Sequence, residues 1–131
     1  MAEKITYGSD PEATLYKDGR MVPAQSSEFR SLSAKIGADG AGTPVEFRPS
    51  PTENPEDLVK ELTKLFKRVY SKGFDLSIHG NDTALGCHIH IGGEYVVQNR
   101  VAIARALDEW IGEPFKTKNG RRRGNYSFLE R

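Results

Sequence analysis

Apolar and polar residues alternate along this chain with two different periods, and the change of period divides it into short strands and two helices. Leu58, Leu62, Leu65, Phe66 and Val69 recur at helical spacing, with lysines and glutamates between them. Asn54 precedes this stretch as an N-cap residue, Pro55 suits the first helical position, and Glu56 and Asp57 favour the positive end of the helix dipole. Gly73 marks its end. A second helix is predicted over residues 97–111, with Val97, Val101, Ala104, Leu107 and Ile111 as its apolar stripe and Gly112 closing it.

The remaining apolar positions follow a period of two. Extended segments are expected over residues 5–7, 13–16, 32–36, 45–48, 74–78 and 87–91, and Lys17-Asp18-Gly19-Arg20 is a hairpin turn signal. A glycine-rich loop, residues 37–42, lies between the third and fourth of these. Residues 24–31 and the polar, basic stretch 113–131 receive no assignment. The order β-β-β-β-α-β-β-α predicts an α+β domain, an antiparallel sheet with both helices on one face and the other face open.

Length and charge narrow the picture. The chain has 131 residues, which fits one domain, and its net charge of +1 gives no reason to expect a nucleic-acid partner. No apolar run approaches the ~20 residues of a membrane span, and the first residues have no apolar segment that would act as a signal peptide. Cys87 is the single cysteine, so no intrachain disulfide forms. A cytoplasmic location is expected.

The sharpest chemical signal is His88-Ile89-His90. Residues two apart on a strand share a face, so both imidazoles are expected to point one way, and Cys87, Ile89 and Ile91 into the core. A single histidine here would read as a solvated surface group. Two together, between apolar neighbours and beside Gly86, Gly92 and Gly93, suit a metal or a phosphate. Asp10-Pro11-Glu12 is either a turn or, if extended, a second pair on one face. Glu46 and Arg48 share the face opposite Val45 and Phe47. Asp39, in the glycine-rich loop, is either a ligand or a turn residue. Carboxylates, imidazoles and a guanidinium on one open sheet face are what a metal–nucleotide site needs. Lys116, Lys118, Arg121, Arg122 and Arg123 offer further phosphate-facing charge, with a solvated basic loop as the plainer reading.

Five segments, in order, give a resemblance: Gly8-Ser9-Asp10-Pro11-Glu12; Ile36-Gly37-Ala38-Asp39-Gly40 with Val45-Glu46-Phe47-Arg48-Pro49; Gly86-Cys87-His88-Ile89-His90-Ile91-Gly92; Ala106-Leu107-Asp108-Glu109-Trp110-Ile111-Gly112; and the arginine-rich stretch before Tyr126. In these the chain resembles the phage and viral amidoligases, COOH-NH2 ligases related to glutamine synthetase and glutamate–cysteine ligase. The resemblance implies a partly open barrel of the glutamine-synthetase catalytic kind, with ATP and Mg2+ or Mn2+ on its concave face. It implies Asp10, Glu12, Glu46 and His88 around the metal, and His90, Arg121 and Arg123 near the ATP phosphates. Arg48, His90 and Arg123 would act in catalysis. The substrates would be a carboxylate and an amine, drawn from a peptide, a cell-wall component or a protein side chain, joined through an acyl-phosphate.

One departure enters the expectation. The family continues into a Glu-x-Arg strand, whereas Glu130 and Arg131 end this chain side by side. A single domain, 1–131, without that strand is therefore expected to turn over slowly or not at all, and to offer a sheet edge for a homodimer. Two other readings compete. A cupin-like metal enzyme would use His88, His90 and Glu94, but needs a later histidine, and none follows His90. A viral nucleic-acid-binding module would use the basic stretch, but leaves the aligned carboxylates unexplained.

Overall fold

The computed structural model describes residues 4–29, 32–40, 42–79 and 85–113. Among the described residues, seven strands and the helical segments give the α+β class that the patterning predicts, with five strands before the long helix where four are expected: β1 Thr6–Ser9, β2 Glu12–Lys17, β3 Arg20–Val22, β4 Ile36–Ala38, β5 Val45–Phe47, α1 Pro55–Ser71, β6 Asp75–Ser77, β7 Ile89–Gly92, α2 Glu94–Gln98 and α3 Arg100–Leu107. All strand pairings with a described register are antiparallel. Contacts divide the chain into two compact units, Thr6–Ile91 and a second made of the described residues before Thr6 and after Ile91.

The first unit holds a curled, half-barrel sheet organised around β2. Asp18 and Gly19 both take positive φ, 51° and 76°, as the tight turn from β2 to β3 requires. Leu15 pairs with Val22 of β3 and with Leu76 of β6. At the other end of the same strand, Glu12 pairs with Glu46 and Ala13 with Val45. Beyond β5, Gly37 of β4 also faces Glu46.

Leu15, Val22, Ile36, Val45 and Phe47 are fully buried and form the core with Ala13, Ala24, Phe29 and Phe74. Helix α1 closes it. The Asn54 side chain accepts the Glu56 amide at 2.8 Å, Pro55 starts the first turn, and Leu65 and Val69 enter the core while Leu62 and Phe66 pack at its margin. Phe66 meets Phe47 edge-on at 4.8 Å, and Phe29 meets Phe74 in the same way at 5.2 Å.

Strand β4 lies later than the pattern predicts. Residues 33–36 form a turn, with a bridge between Ser33 and Ile36, and the strand runs on through Gly37 and Ala38. Gly37 is buried opposite Glu46, so a residue that reads as loop in isolation belongs to the ladder.

In the second unit, the expected single helix is broken. Gly93 enters it with φ 122°, where a Cβ would stand 2.2 Å from the Lys4 carbonyl oxygen, so a side chain is excluded. Asn99 ends α2: its backbone and its side-chain amide both donate to the Tyr95 carbonyl. Helix α3 follows and passes into a π-helical turn, Asp108–Gly112. The predicted core stripe is not core. Val97, Val101, Leu107 and Ile111 are exposed, and the break at Asn99 separates Val97 from the rest. No described helix is long and apolar enough to cross a membrane.

Candidate functional site

The acidic residues of the first unit converge because of how β2 is paired. Asp10-Pro11-Glu12 is extended rather than a turn. The amides of Asp10 and Glu12 donate to the carbonyls of His88 and Gly86, at 3.3 and 3.0 Å, along one side. On the other side the Pro11 carbonyl accepts the Phe47 amide at 3.0 Å, and proline, which has no N–H, leaves no donor stranded there. The two carboxylates are two residues apart on an extended segment and so share a face.

Two groups result. The first joins Glu12, Asp39 and Glu46, whose carboxylate oxygens lie within 4.8 Å of one another; among the described residues this is the group of three acidic, histidine or cysteine side chains able to share an ion. Glu12 and Glu46 are directly opposed on paired strands, an arrangement that costs stability in a plain sheet. The Gly86 amide donates to Glu12 Oε2 at 2.7 Å. Burial and the neighbouring carboxylates of Asp39 and Glu46 push the Glu12 pKa up, against the pull of that amide. Arg48 supplies one cation: its Nε donates to Glu46 Oε1 at 2.7 Å, and its Nη2 to the Ala38 carbonyl at 2.8 Å. The guanidinium thus ties β5 to the residue just before Asp39.

Asp39 is placed by a turn that needs glycine. The Gly42 amide donates to the Asp39 carbonyl at 2.7 Å, and a Cβ on Gly42 would stand 2.7 Å from that same oxygen. Gly40 adds a positive φ of 54°. Sequence reasoning left Asp39 open between ligand and turn residue. The pairing of β4 with β5 brings its carboxylate beside Glu12 and Glu46, a closeness that the glycines of the loop do not reveal by themselves.

The second group joins Asp10, His88 and His90. Asp10 Oδ1 accepts the His88 amide at 2.7 Å and lies 3.1 Å from His88 Nδ1; Oδ2 lies 3.1 Å from the same Nδ1 and 3.2 Å from His90 Nε2. Both imidazoles therefore reach one carboxylate, in keeping with the shared face that their spacing predicts. Burial works to raise the Asp10 pKa, but the hydrogen bonds from the His88 amide and the two rings outweigh it, and Asp10 is held below the usual carboxylate range.

The opposite face of this segment differs from expectation. Cys87 and Ile89 are exposed, with Ile89 71% accessible, because the core includes no residue from 85–91. Cys87 Sγ instead lies 3.3 Å from Ser9 Oγ. Glu94, required by the cupin-like alternative, heads helix α2 and accepts from Gln98. Lys116, Lys118, Arg121, Arg122, Arg123, Glu130 and Arg131 lie outside the described residues.

The sequence model of one family, described as phage phiEco32-like COOH.NH2 ligase-type 2, matches residues 7–131. No curated protein and no solved structure matches the chain.

Proposed function

The chain belongs to the phage phiEco32-like COOH.NH2 ligase-type 2 family, and we propose that it joins a carboxylate to an amine at the expense of ATP, with a divalent ion held by Glu12, Asp39 and Glu46. The observation that carries the metal reading is the convergence of three carboxylates against one guanidinium. Oxygen donors alone are the set that magnesium and manganese prefer, and the surplus of negative charge is relieved by a dication. The chemistry requires in addition that ATP activate the carboxylate. Hydroxide is too poor a leaving group for a carboxylate to condense directly with an amine.

In the proposed reaction a carboxylate oxygen attacks the γ-phosphorus of ATP and ADP leaves, giving an acyl-phosphate. The amine nitrogen then attacks the carbonyl carbon, the carbon–oxygen bond to phosphate breaks, and the nitrogen gives up a proton. A bound divalent ion would neutralise phosphate charge at the first of these steps. The protein's own part is positioning. The Gly86 amide fixes Glu12, Arg48 fixes Glu46, and the Gly42 turn fixes Asp39. His90, which reaches Asp10, would approach the phosphates in this reading, and Arg121 and Arg123 would add positive charge there.

The test is manganese binding by calorimetry, followed by ADP release in the presence of ATP, a carboxylate and hydroxylamine, which traps an acyl-phosphate as a hydroxamate. Glu46→Gln is expected to weaken manganese binding at least tenfold and to abolish hydroxamate formation. Manganese affinity equal to the parent would remove Glu46 from the ligand set, and hydroxamate formed without ATP would exclude the acyl-phosphate route.

A further inference from the structure

Glycine is forced at two places already described, Gly42 and Gly93, where a Cβ would stand 2.7 and 2.2 Å from a backbone carbonyl oxygen. Gly86 is under no such constraint. Its φ is not positive, and its backbone lies extended along Glu12, accepting the Glu12 amide at 3.0 Å and donating to Glu12 Oε2 at 2.7 Å. Among the described residues, a Cβ on Gly86 would meet only Glu12 Oε2 at 3.6 Å and Glu12 Cδ at 3.9 Å, which is ordinary van der Waals contact. Gly8 has comparable room, but His90 fills it: three carbons of that side chain lie 3.4, 3.8 and 3.9 Å from the place of a Gly8 Cβ, and Gly8 is buried. Gly86 is exposed. A glycine in an extended pairing is less stable than alanine, and one that the fold does not demand often marks a place where a ligand approaches the backbone.

The space above Gly86 has one wall with a strong preference. Glu12 has Glu46 across the ladder on one side and Gly86 on the other, so its carboxylate stands between the acid cluster and this open backbone. An ionised carboxylate only accepts hydrogen bonds, and Oε2 keeps a lone pair beyond the one that takes the Gly86 amide. Asp10, two residues from Glu12 and on the same face, adds negative charge nearby. A small cation with N–H donors is the occupant that these groups select, and an anion would be repelled. Of the two substrates of the proposed ligase, that is the amine. We infer that the space over Gly86 is the amine subsite, where a primary amine is held as its ammonium by Glu12 Oε2 with the rest of its molecule in solvent. A primary amine is required because its nitrogen must come within hydrogen-bond reach of Oε2 beside the backbone, and further substituents on nitrogen would hold it off. The amine is bound as the cation and attacks the acyl-phosphate as the free base, after a proton has passed to solvent. The inference rests on the ligase reading for the identity of the cation, but not on the divalent ion.

Methylammonium chloride is the probe, titrated into isotope-labelled protein while the backbone amide signals of Gly86 and Glu12 are followed by magnetic resonance. Tetramethylammonium, with the same charge and no N–H, is the control. Saturable shifts of both signals are expected with methylammonium and none with tetramethylammonium, both without magnesium and at saturating magnesium. An equal response to the two cations would mean charge attraction alone, and a response abolished by magnesium would mean that the ammonium sat in the ion site; either overturns the inference. Gly86→Ala, followed at the Glu12 amide, should weaken methylammonium binding about tenfold or more, the cost of pressing a methyl group into an occupied space. Its melting temperature and magnesium affinity should equal or exceed those of the parent. A lower value of either would show that the glycine serves the fold or Glu12 itself, and parental methylammonium affinity would show that nothing binds above it; each of these outcomes overturns the inference. In the hydroxamate assay, Gly86→Ala should raise the KM for hydroxylamine and leave the KM for ATP unchanged, and an equal rise in both counts against an amine subsite. If the parent forms no hydroxamate, the ligase reading fails by itself, and the titration still decides whether Gly86 and Glu12 hold an ammonium.

Discussion

The two ends of β2 obey different rules. From Leu15 onward the strand is built for stability: Leu15 is fully buried and has Val22 on one side and Leu76 on the other. Three residues earlier, Glu12 faces Glu46 across the ladder, with Asp39 alongside. One strand thus passes within about 10 Å from a packed apolar core into a cluster of like charges. A sheet selected for stability alone would not keep that second end. Local rules broken beside a core that obeys them are what a functional site leads one to expect, and the proposed ion site lies at this break.

The contrast can be broken in order of effect. Leu15→Ala should destabilise the protein by about 2–5 kcal/mol, the usual cost of a cavity at a buried leucine. Urea unfolding followed by circular dichroism measures this, and a loss below 1 kcal/mol would mean that β2 is not the centre of the core. Gly42→Ala should come next. Its methyl group would press on the Asp39 carbonyl, and the strain of relieving that contact is worth about 1–3 kcal/mol. Manganese affinity should fall with it, because the displaced residue is Asp39. Unchanged affinity would separate Asp39 from the ion.

The smallest effect has the opposite sign. Glu12→Gln should stabilise the metal-free protein by about 0.2–1 kcal/mol, since it removes a like-charge pair and leaves an oxygen to accept the Gly86 amide. The pH dependence follows from the same cause. Glu12 has a raised pKa in the folded state, so between its unfolded and folded values the native protein binds more protons than the unfolded chain. Stability therefore falls as pH rises through that window. Asp10 is shifted the other way; its contribution is present above the unfolded value and is lost as pH falls through the depressed one. Thermal melts of the parent and Glu12→Gln across mildly acidic pH should differ only in the upper of these two windows. Identical profiles would show that Glu12 carries no such strain.

The parts of the fold that sequence disclosed are those with local causes. Asn54, Pro55 and Gly73 bracket α1, and Asp18-Gly19 makes its hairpin, because caps and turns are decided within a few residues. The common face of His88 and His90 follows from chain geometry alone. What stayed hidden depends on pairing at a distance. Gly37 reads as loop until Glu46 lies opposite it, and Asp39 stays open between ligand and turn residue until the pairing of β4 with β5 brings its carboxylate beside Glu12 and Glu46. The second helical stretch misled for a different reason. Its apolar spacing is regular, but Asn99 satisfies the Tyr95 carbonyl with its own side chain and interrupts the backbone that the spacing assumes.

The distance along the chain between the two halves of the site has a kinetic consequence. Gly86 reaches Glu12 across 74 residues, and His90 reaches Asp10 across 80. Closing a loop of that length is entropically expensive and cannot precede the sheet that repays it. During refolding, helix α1 and the hairpin at Asp18-Gly19 can form from neighbours alone, whereas the histidines arrive only when most of the first unit is in place. The pairing of Asp10 with the two histidines is thus a late event by construction, and a probe that reports on His88 and Asp10 together would register the completion of folding rather than its beginning.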